Sequence, residues 1–391
     1  MNQTPSIKKH LEWKGKIETK VKAPVDTEEA LALAYTPGVA DVCLAIKEDI
    51  NNSFTLTGRA NTVAVITDGT AILGLGNIGP EAGMPVMEGK CALFKQFGGV
   101  DAFPLCLKTT DTEEIIRTIK LLEGSFGGIN LEDISAPRCF EIETRLKKEL
   151  EIPVFHDDQH GTAIVVGAAL INALKVVDKP IKDVTVVVNG AGAAGISIGK
   201  YLLNMGVKDL IFVDKFGIIC QGDTFENKSH QEVSTISNKR KLKGSLKDAL
   251  VCADVFVGVS VGNIVTEQMV QSMNDKAIVF AMANPVPEIQ PELAKKAGVA
   301  IVGTGSSKHP NQINNALVFP GLFRGALDVR ASDVNLEMML AASRAIAETV
   351  PNDKLCAQYI IPKAVDYTAH KNVAKAVKEA AIKSGVARIT E

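Results

Sequence analysis

Nowhere in this sequence do two cysteines stand as a CxxC pair. The seven present, at positions 43, 91, 106, 139, 220, 252 and 356, are odd in number and irregular in spacing. That argues against a disulfide framework or a cysteine-built zinc site and fits a reducing, cytoplasmic compartment. Neither sign of charge is in excess. The formal net charge is −2, so no general electrostatic grip on nucleic acid or a membrane surface is expected. Long apolar runs are also missing. The longest, around residues 162–174, contains Thr162 and Asn172 and reads as too short to span a bilayer. The N-terminal MNQTPSIKKHLEWKGKIE lacks the apolar core of a secretory signal. Internal repeats and low-complexity tracts are absent as well.

What is present is an ordinary globular composition, 46% hydrophobic and 23% charged over 391 residues, enough for two domains with their own cores. Thr62–Thr67 is a β-branched run ending at Asp68-Gly69 and reads as a buried strand. A second strand fits Val100–Leu107, with a helix between them starting after Pro85 and carrying Met87, Lys90, Cys91 and Phe94. A helix over Asp111–Glu123, capped by Asp111 or Thr112, precedes a short strand over Gly127–Leu131. In the second half, strands fit Val184–Asn189, Leu210–Val213, Val255–Val259, Ala277–Ala281 and Val299–Val302. The expected fold is α/β: an N-terminal α/β substrate domain over 1–160, then a Rossmann-type doubly wound parallel-sheet domain over 161–391 with a helical tail.

Gly190-Ala191-Gly192-Ala193-Ala194-Gly195 follows a strand and opens an apolar helix, and the next strand ends in Asp214, nineteen residues after Gly195. That is the setting in which GxGxxG cradles a dinucleotide pyrophosphate against a helix N-terminus. A glycine turn serving packing alone would carry the same letters. Asp214 suits the ribose hydroxyl of NAD, whereas the adjacent Lys215 suits the 2′-phosphate of NADP, so the choice stays open. A second GxGxxG, Gly74–Gly79, is followed by Pro80, Gly83 and Pro85. These interrupt the helix start that a phosphate turn needs, so this one reads as a substrate-domain loop.

Glu132-Asp133 and Asp157-Asp158 each follow a strand candidate, where parallel sheets place ligands. Gathering these carboxylates without a cation is costly. A hard divalent ion, Mg²⁺ or Mn²⁺, resolves the repulsion; two solvated acidic turns are the plainer alternative. His156 and His160 bracket the second pair and read as supporting residues rather than zinc ligands.

These residues resemble the malic enzyme family in its short bacterial form, from about Tyr35 to about Arg330. The segments carrying the likeness are Tyr35-Thr-Pro-Gly-Val, Asp68-Gly-Thr-Ala-Ile-Leu-Gly-Leu-Gly-Asn-Ile-Gly, Pro85-Val-Met-Glu-Gly-Lys90 and Asn130-Leu-Glu-Asp-Ile-Ser-Ala-Pro-Arg138. They continue with Phe155-His-Asp-Asp-Gln-His-Gly-Thr162, Ala283-Asn284-Pro285 and Asn314-Asn315-Ala-Leu-Val-Phe-Pro-Gly321. The resemblance implies oxidative decarboxylation of L-malate to pyruvate with NAD or NADP. It implies Tyr35 as proton donor, Lys90 as general base, Glu132, Asp133 and Asp158 as metal ligands, and Asp157 supporting them in catalysis. Asn284 and Asn315 would contact substrate or the nicotinamide end. Larger family members clamp a substrate carboxylate with an arginine where this chain has Ala71; Arg59, Lys90 or a backbone site are the candidate substitutes. The resemblance further implies a homodimer, with the segment around Trp13 a candidate exchanged arm. Rival readings are a non-decarboxylating 2-hydroxy acid dehydrogenase and a catalytically inactive dinucleotide sensor.

Overall fold

The computed structural model describes residues 4–390. Two sheets carry the architecture. The first joins β1 (Thr62–Thr67), β2 (Asp101–Cys106), β3 (Gly128–Leu131) and β4 (Val154–His156) in the order β2-β1-β3-β4, all parallel. The second joins β5 (Thr185–Asn189), β6 (Asp209–Asp214), β7 (Gly217–Ile218), β8 (Val255–Gly258), β9 (Ile278–Ala281) and β10 (Ile301–Thr304). Its order is β10-β9-β8-β5-β6-β7, parallel except for the short antiparallel edge β7. Strand order reverses between β5 and β8, the point beyond whose carboxyl ends such sheets place their ligands.

The central strands are covered on both faces, which is why they read as unbroken apolar runs rather than alternating ones. β5, β8 and β9 are buried at every residue. β2 is an edge strand and tolerates Pro104, since it pairs only with β1. One face of the first sheet packs on the helices Thr112–Leu122 and Arg138–Glu149 through Ile115, Ile119, Ile142 and Leu146. Its other face shares a continuous core with the second sheet. Val63, Val65 and Phe94 join the helix Thr162–Val177 and the tail helices Phe319–Asp328, Leu336–Glu348 and Tyr367–Lys383 in that core. The tail therefore packs on both halves.

Several sequence expectations shift. The helix bearing Lys90 runs Pro80–Gly98 and so starts before Pro85. Pro80 occupies the first helical position, where its missing N–H costs nothing, and Pro85 forfeits one bond further in. The Gly74–Gly79 loop consequently runs straight into a helix, with Gly79 at φ +85 as its cap. Interruption of the helix is thus not what separates this loop from a phosphate turn. β10 lies two residues later than expected, and Asp111, not Thr112, caps its helix by accepting from the Glu114 N–H. The apolar stretch 162–174 belongs to a 21-residue helical segment, Asp157–Val177, long and apolar enough to cross a membrane, yet 72% of its apolar window is buried in the core. Glu28–Glu48 meets the same length and composition test with no buried residue.

Candidate active site

The carboxyl ends of β3 and β4 deliver the acidic pairs side by side. Glu132 and Asp133 follow β3, and Asp157 and Asp158 follow β4 in a turn, Asp157–Gly161, wider than an α-helix. In it the Thr162 N–H reaches back to the Asp157 carbonyl, five residues away. This π-type widening is frequent at functional sites. It turns Asp157 and Asp158 toward β3 before the helix continues. A Cβ on Gly161 would land on the Asp157 carboxylate, so only glycine leaves that carboxylate room.

Lys90 projects from the helix Pro80–Gly98 into these acids. Its Nζ lies 2.6 Å from Asp157 Oδ2 and 2.8 Å from Glu132 Oε1, and 4.3 Å from the centre of the Phe319 ring. The residue is 8% exposed. Burial lowers the affinity of its amine for a proton, but the carboxylates of Asp157, Glu132 and Asp158 outweigh burial and hold the ammonium well above its ordinary range. Burial pushes all four carboxyl groups up, and in each case the Lys90 ammonium opposes it.

Glu132, Asp133 and Asp158 each place a carboxylate oxygen within 4.8 Å of the others. The Asp133 N–H donates to Asp158 Oδ2 at 2.7 Å, Asn130 Nδ2 holds Glu132 Oε2 at 3.0 Å, and Asp133 Oδ2 is buried without a partner. Asp133 takes φ +53, a conformation uncommon outside glycine, and its carbonyl accepts the Ala71 N–H at 2.9 Å. Three hard oxygen donors, one of them orphaned, fit a divalent cation and would otherwise repel. Behind them His156 is fully buried, and burial pulls its imidazole down to about 4. The backbone N–H of His156 and the His160 ring both meet the Glu143 carboxylate, at 3.2 and 2.9 Å. Neither histidine belongs to the three-carboxylate group, and both are joined to the helix Arg138–Glu149 through Glu143.

Among the other expected residues, Asn315 begins a short helical turn capped by Asn314, with its Cβ beside Gly161. Asn284 is exposed on the loop after β9, and its carbonyl abuts Gly74 of the glycine loop. Tyr35 is not brought to Lys90: it is 67% exposed and hydrogen-bonds none of the clustered acids. Arg59 does not reach the cluster either. It sits before β1, at the opposite end of the strand, binding Ser53, Glu123 and Phe126 and covering the Phe54 ring. It is therefore no substitute for the missing arginine. Asn130, Glu143 and Phe319 were overlooked as site residues; their only signal was a place inside or beside the motif segments.

The glycine turn lies at the switch point of the second sheet. Gly190 adopts φ +108 and has the Val259 carbonyl against it. A Cβ on Gly195 would strike the Gly190 carbonyl, whereas one on Gly192 would meet no atom within 4 Å. Each glycine thus has its own reason: a strained turn, close packing, and an open cradle that a side chain would fill. The helix Ala193–Met205 starts directly behind that cradle, where its free N–H groups favour phosphate. Asp214 ends β6, its Oδ1 accepting the Phe216 N–H at 2.8 Å.

Comparison with known proteins then decides the family. The model of the malic enzyme N-terminal domain matches residues 14–114 and 108–147, and that of the malic enzyme NAD binding domain matches residues 159–382. The chain belongs to the malic enzyme family. It is 58% identical over 374 residues to the NAD-dependent malic enzyme of Geobacillus stearothermophilus, covering 96% of this chain and 78% of that protein. A bifunctional malic/malolactic enzyme of Bacillus subtilis (strain 168) is 57% identical, with 96% and 92% covered. The crystal structure of the NAD-dependent malic enzyme from Thermotoga maritima superposes with a TM-score of 0.93 at 51% identity, covering 96% of this chain and 99% of that one.

Proposed function

We propose that this chain oxidatively decarboxylates L-malate to pyruvate and CO₂ with reduction of NAD or NADP. The observation that carries the reading is a buried lysine ion-paired to one member of a three-carboxylate cluster and to the adjoining Asp157, in one protein with a dinucleotide cradle. Glu132, Asp133 and Asp158 hold Mg²⁺ or Mn²⁺, and Gly190–Gly195, Asp214 and Asn284 hold the dinucleotide. A bound divalent cation supplies Lewis-acid polarisation of the substrate oxygens and offsets the carboxylate field that keeps Lys90 protonated. The dinucleotide supplies the hydride acceptor.

Lys90 takes the C2 hydroxyl proton as hydride leaves C2, giving oxaloacetate. Asp157 keeps the lysine nitrogen aimed at that hydroxyl. Loss of CO₂ from C4 leaves enolpyruvate, which a proton delivered to C3 converts to pyruvate. Asn315, beside Gly161, and Asn284, beside the glycine loop, orient the substrate and the nicotinamide end.

Tyr35 is the proton donor in this reading, and the exposed Leu31, Leu33 and Leu44 near it in sequence form apolar surface that needs cover. A second copy of the chain in a homodimer supplies that cover and brings Tyr35 to its partner's lysine. The test is complementation. Tyr35→Phe and Lys90→Met are each inactive while still binding reduced dinucleotide, and co-refolding the two restores malate turnover. Near-normal turnover by Lys90→Met alone would end the assignment. Inactivity of the mixture would remove the shared site.

A further inference from the structure

The position of Asp214 bears on which dinucleotide this enzyme uses, and a residue no motif singled out controls it. Asp214 is held on one oxygen and backed by a ring on the other. Oδ1 accepts the Phe216 N–H at 2.8 Å, and Oδ2 faces His230 Nδ1 at 3.5 Å. The Asp214 and His230 side chains are 14% and 15% exposed. The other ring nitrogen, His230 Nε2, stands 2.9 Å from the Ala191 carbonyl, which only accepts, so Nε2 carries the hydrogen. His230 comes from the helix Lys228–Ile236, whose N-cap Asn227 accepts the Ser229 N–H, and the Phe225 ring meets it edge-on. One imidazole, anchored by its hydrogen bond to the glycine turn after β5, thus stands against the selector residue at the end of β6.

The cations that would welcome a 2′-phosphate are engaged elsewhere. Lys215 Nζ lies over the Phe216 ring at 4.9 Å, and Lys243, across the same groove, is paired with Asp223 at 2.8 Å. A carboxylate has about four acceptor sites. With one taken by the Phe216 N–H, Asp214 keeps the capacity to accept from a ribose hydroxyl, while the largely buried His230 ring against Oδ2 fills the space the carboxylate would turn into to make room for a phosphate.

We propose that His230 is a positioning residue that fixes Asp214 as the selector of NAD, the dinucleotide without a 2′-phosphate, over NADP. The proposal rests on the dinucleotide reading of the Gly190–Gly195 turn. Removing the ring lets Asp214 swing aside and Lys215 meet a phosphate, so the two cofactors respond in opposite directions. Mere loss of packing would weaken both alike.

The experiment measures kcat and KM for NAD and for NADP at saturating malate and Mn²⁺ in the wild type, His230→Ala, His230→Gln and Asp214→Ala. Binding of NADH and NADPH is followed separately by fluorescence. The wild type prefers NAD in kcat/KM by more than about tenfold. His230→Ala lowers that ratio by about tenfold or more, with the change in KM rather than kcat. His230→Gln, whose amide can still donate to Ala191, restores most of it, and Asp214→Ala loses it. A wild-type preference for NADP overturns the proposal without any variant. So does a His230→Ala ratio equal to the wild type, or a parallel loss for both cofactors that His230→Gln fails to rescue. Failure of the wild type to bind either reduced dinucleotide would instead overturn the underlying reading of the turn, and the proposal with it.

Discussion

Replacing Gly192 by alanine separates what the glycine turn does for the fold from what it does for the cofactor. Gly192 has φ −90, which any residue adopts, and a Cβ there meets no atom within 4 Å. The substitution should therefore leave stability within about 1 kcal/mol of the wild type, with the loss of unfolded-state freedom offsetting the weaker cap. The methyl group instead occupies the space a pyrophosphate needs to reach the backbone N–H groups. Loss of one charge-assisted hydrogen bond costs about 1.5–3 kcal/mol, or about 10- to 150-fold in affinity. Gly195→Ala is the control. Its Cβ is forced onto the Gly190 carbonyl, so it should destabilise the fold by about 1–3 kcal/mol. Thermal unfolding and NADH fluorescence titration read the two effects. Unchanged NADH affinity in a folded Gly192→Ala protein would refute the reasoning, because the open space would then hold no phosphate.

Other substitutions probe the catalytic half and the frame around it. Gly161→Ala drives a methyl into the Asp157 carboxylate, and kcat should fall about 100-fold as Lys90 loses its aim, measured against unchanged NADH binding. Asp254 binds Lys179 Nζ, the Thr185 N–H and Asn274 Nδ2 at 2.8, 2.9 and 2.9 Å. Burial raises its carboxyl pKa, but these partners outweigh it and hold the group below its ordinary value. A depressed folded-state pKa gives stability that is fully present above the unfolded value near 4 and is lost as pH falls through the folded one. Asp254→Ala should accordingly cost about 1.5–3 kcal/mol at neutral pH and progressively less in acid, read by urea unfolding across pH. Mn²⁺ should raise the melting temperature of the wild type, by about 2.7 kcal/mol of stability at a hundred times its Kd. Asp158→Asn should abolish most of that gain, and an equal gain in the variant would remove Asp158 from the ligand set.

The sheets were legible because parallel strands buried on both faces read as apolar runs, and the glycine fingerprint was legible because its strand and helix flank it. The start of the Lys90 helix is hidden by Pro85, which signals a boundary in the sequence although an early helical proline sacrifices little. In the site, Lys90 was recognisable only through the company of its motif, since nothing local announces that a helical lysine is buried. Carboxylates separated from it by 42 to 68 positions converge on it and hold its ammonium above the ordinary range. Glu143 behind His156 and His230 behind Asp214 were invisible for a related reason: each acts on a partner in another element, 13 and 16 positions away. Tyr35 shows the converse. A motif names it, and one folded chain leaves it exposed.

The central claim is that hydride transfer and decarboxylation occur together at the Lys90 and carboxylate centre. The most direct measurement supplies wild-type protein with L-malate and Mn²⁺, follows reduced nicotinamide by its absorbance with NAD and with NADP, and assays pyruvate and oxaloacetate at the end point. The account predicts reduction that stops on chelation of the metal and one pyruvate for each nicotinamide reduced. Reduction that persists in chelator, or that accumulates oxaloacetate in place of pyruvate, would contradict it.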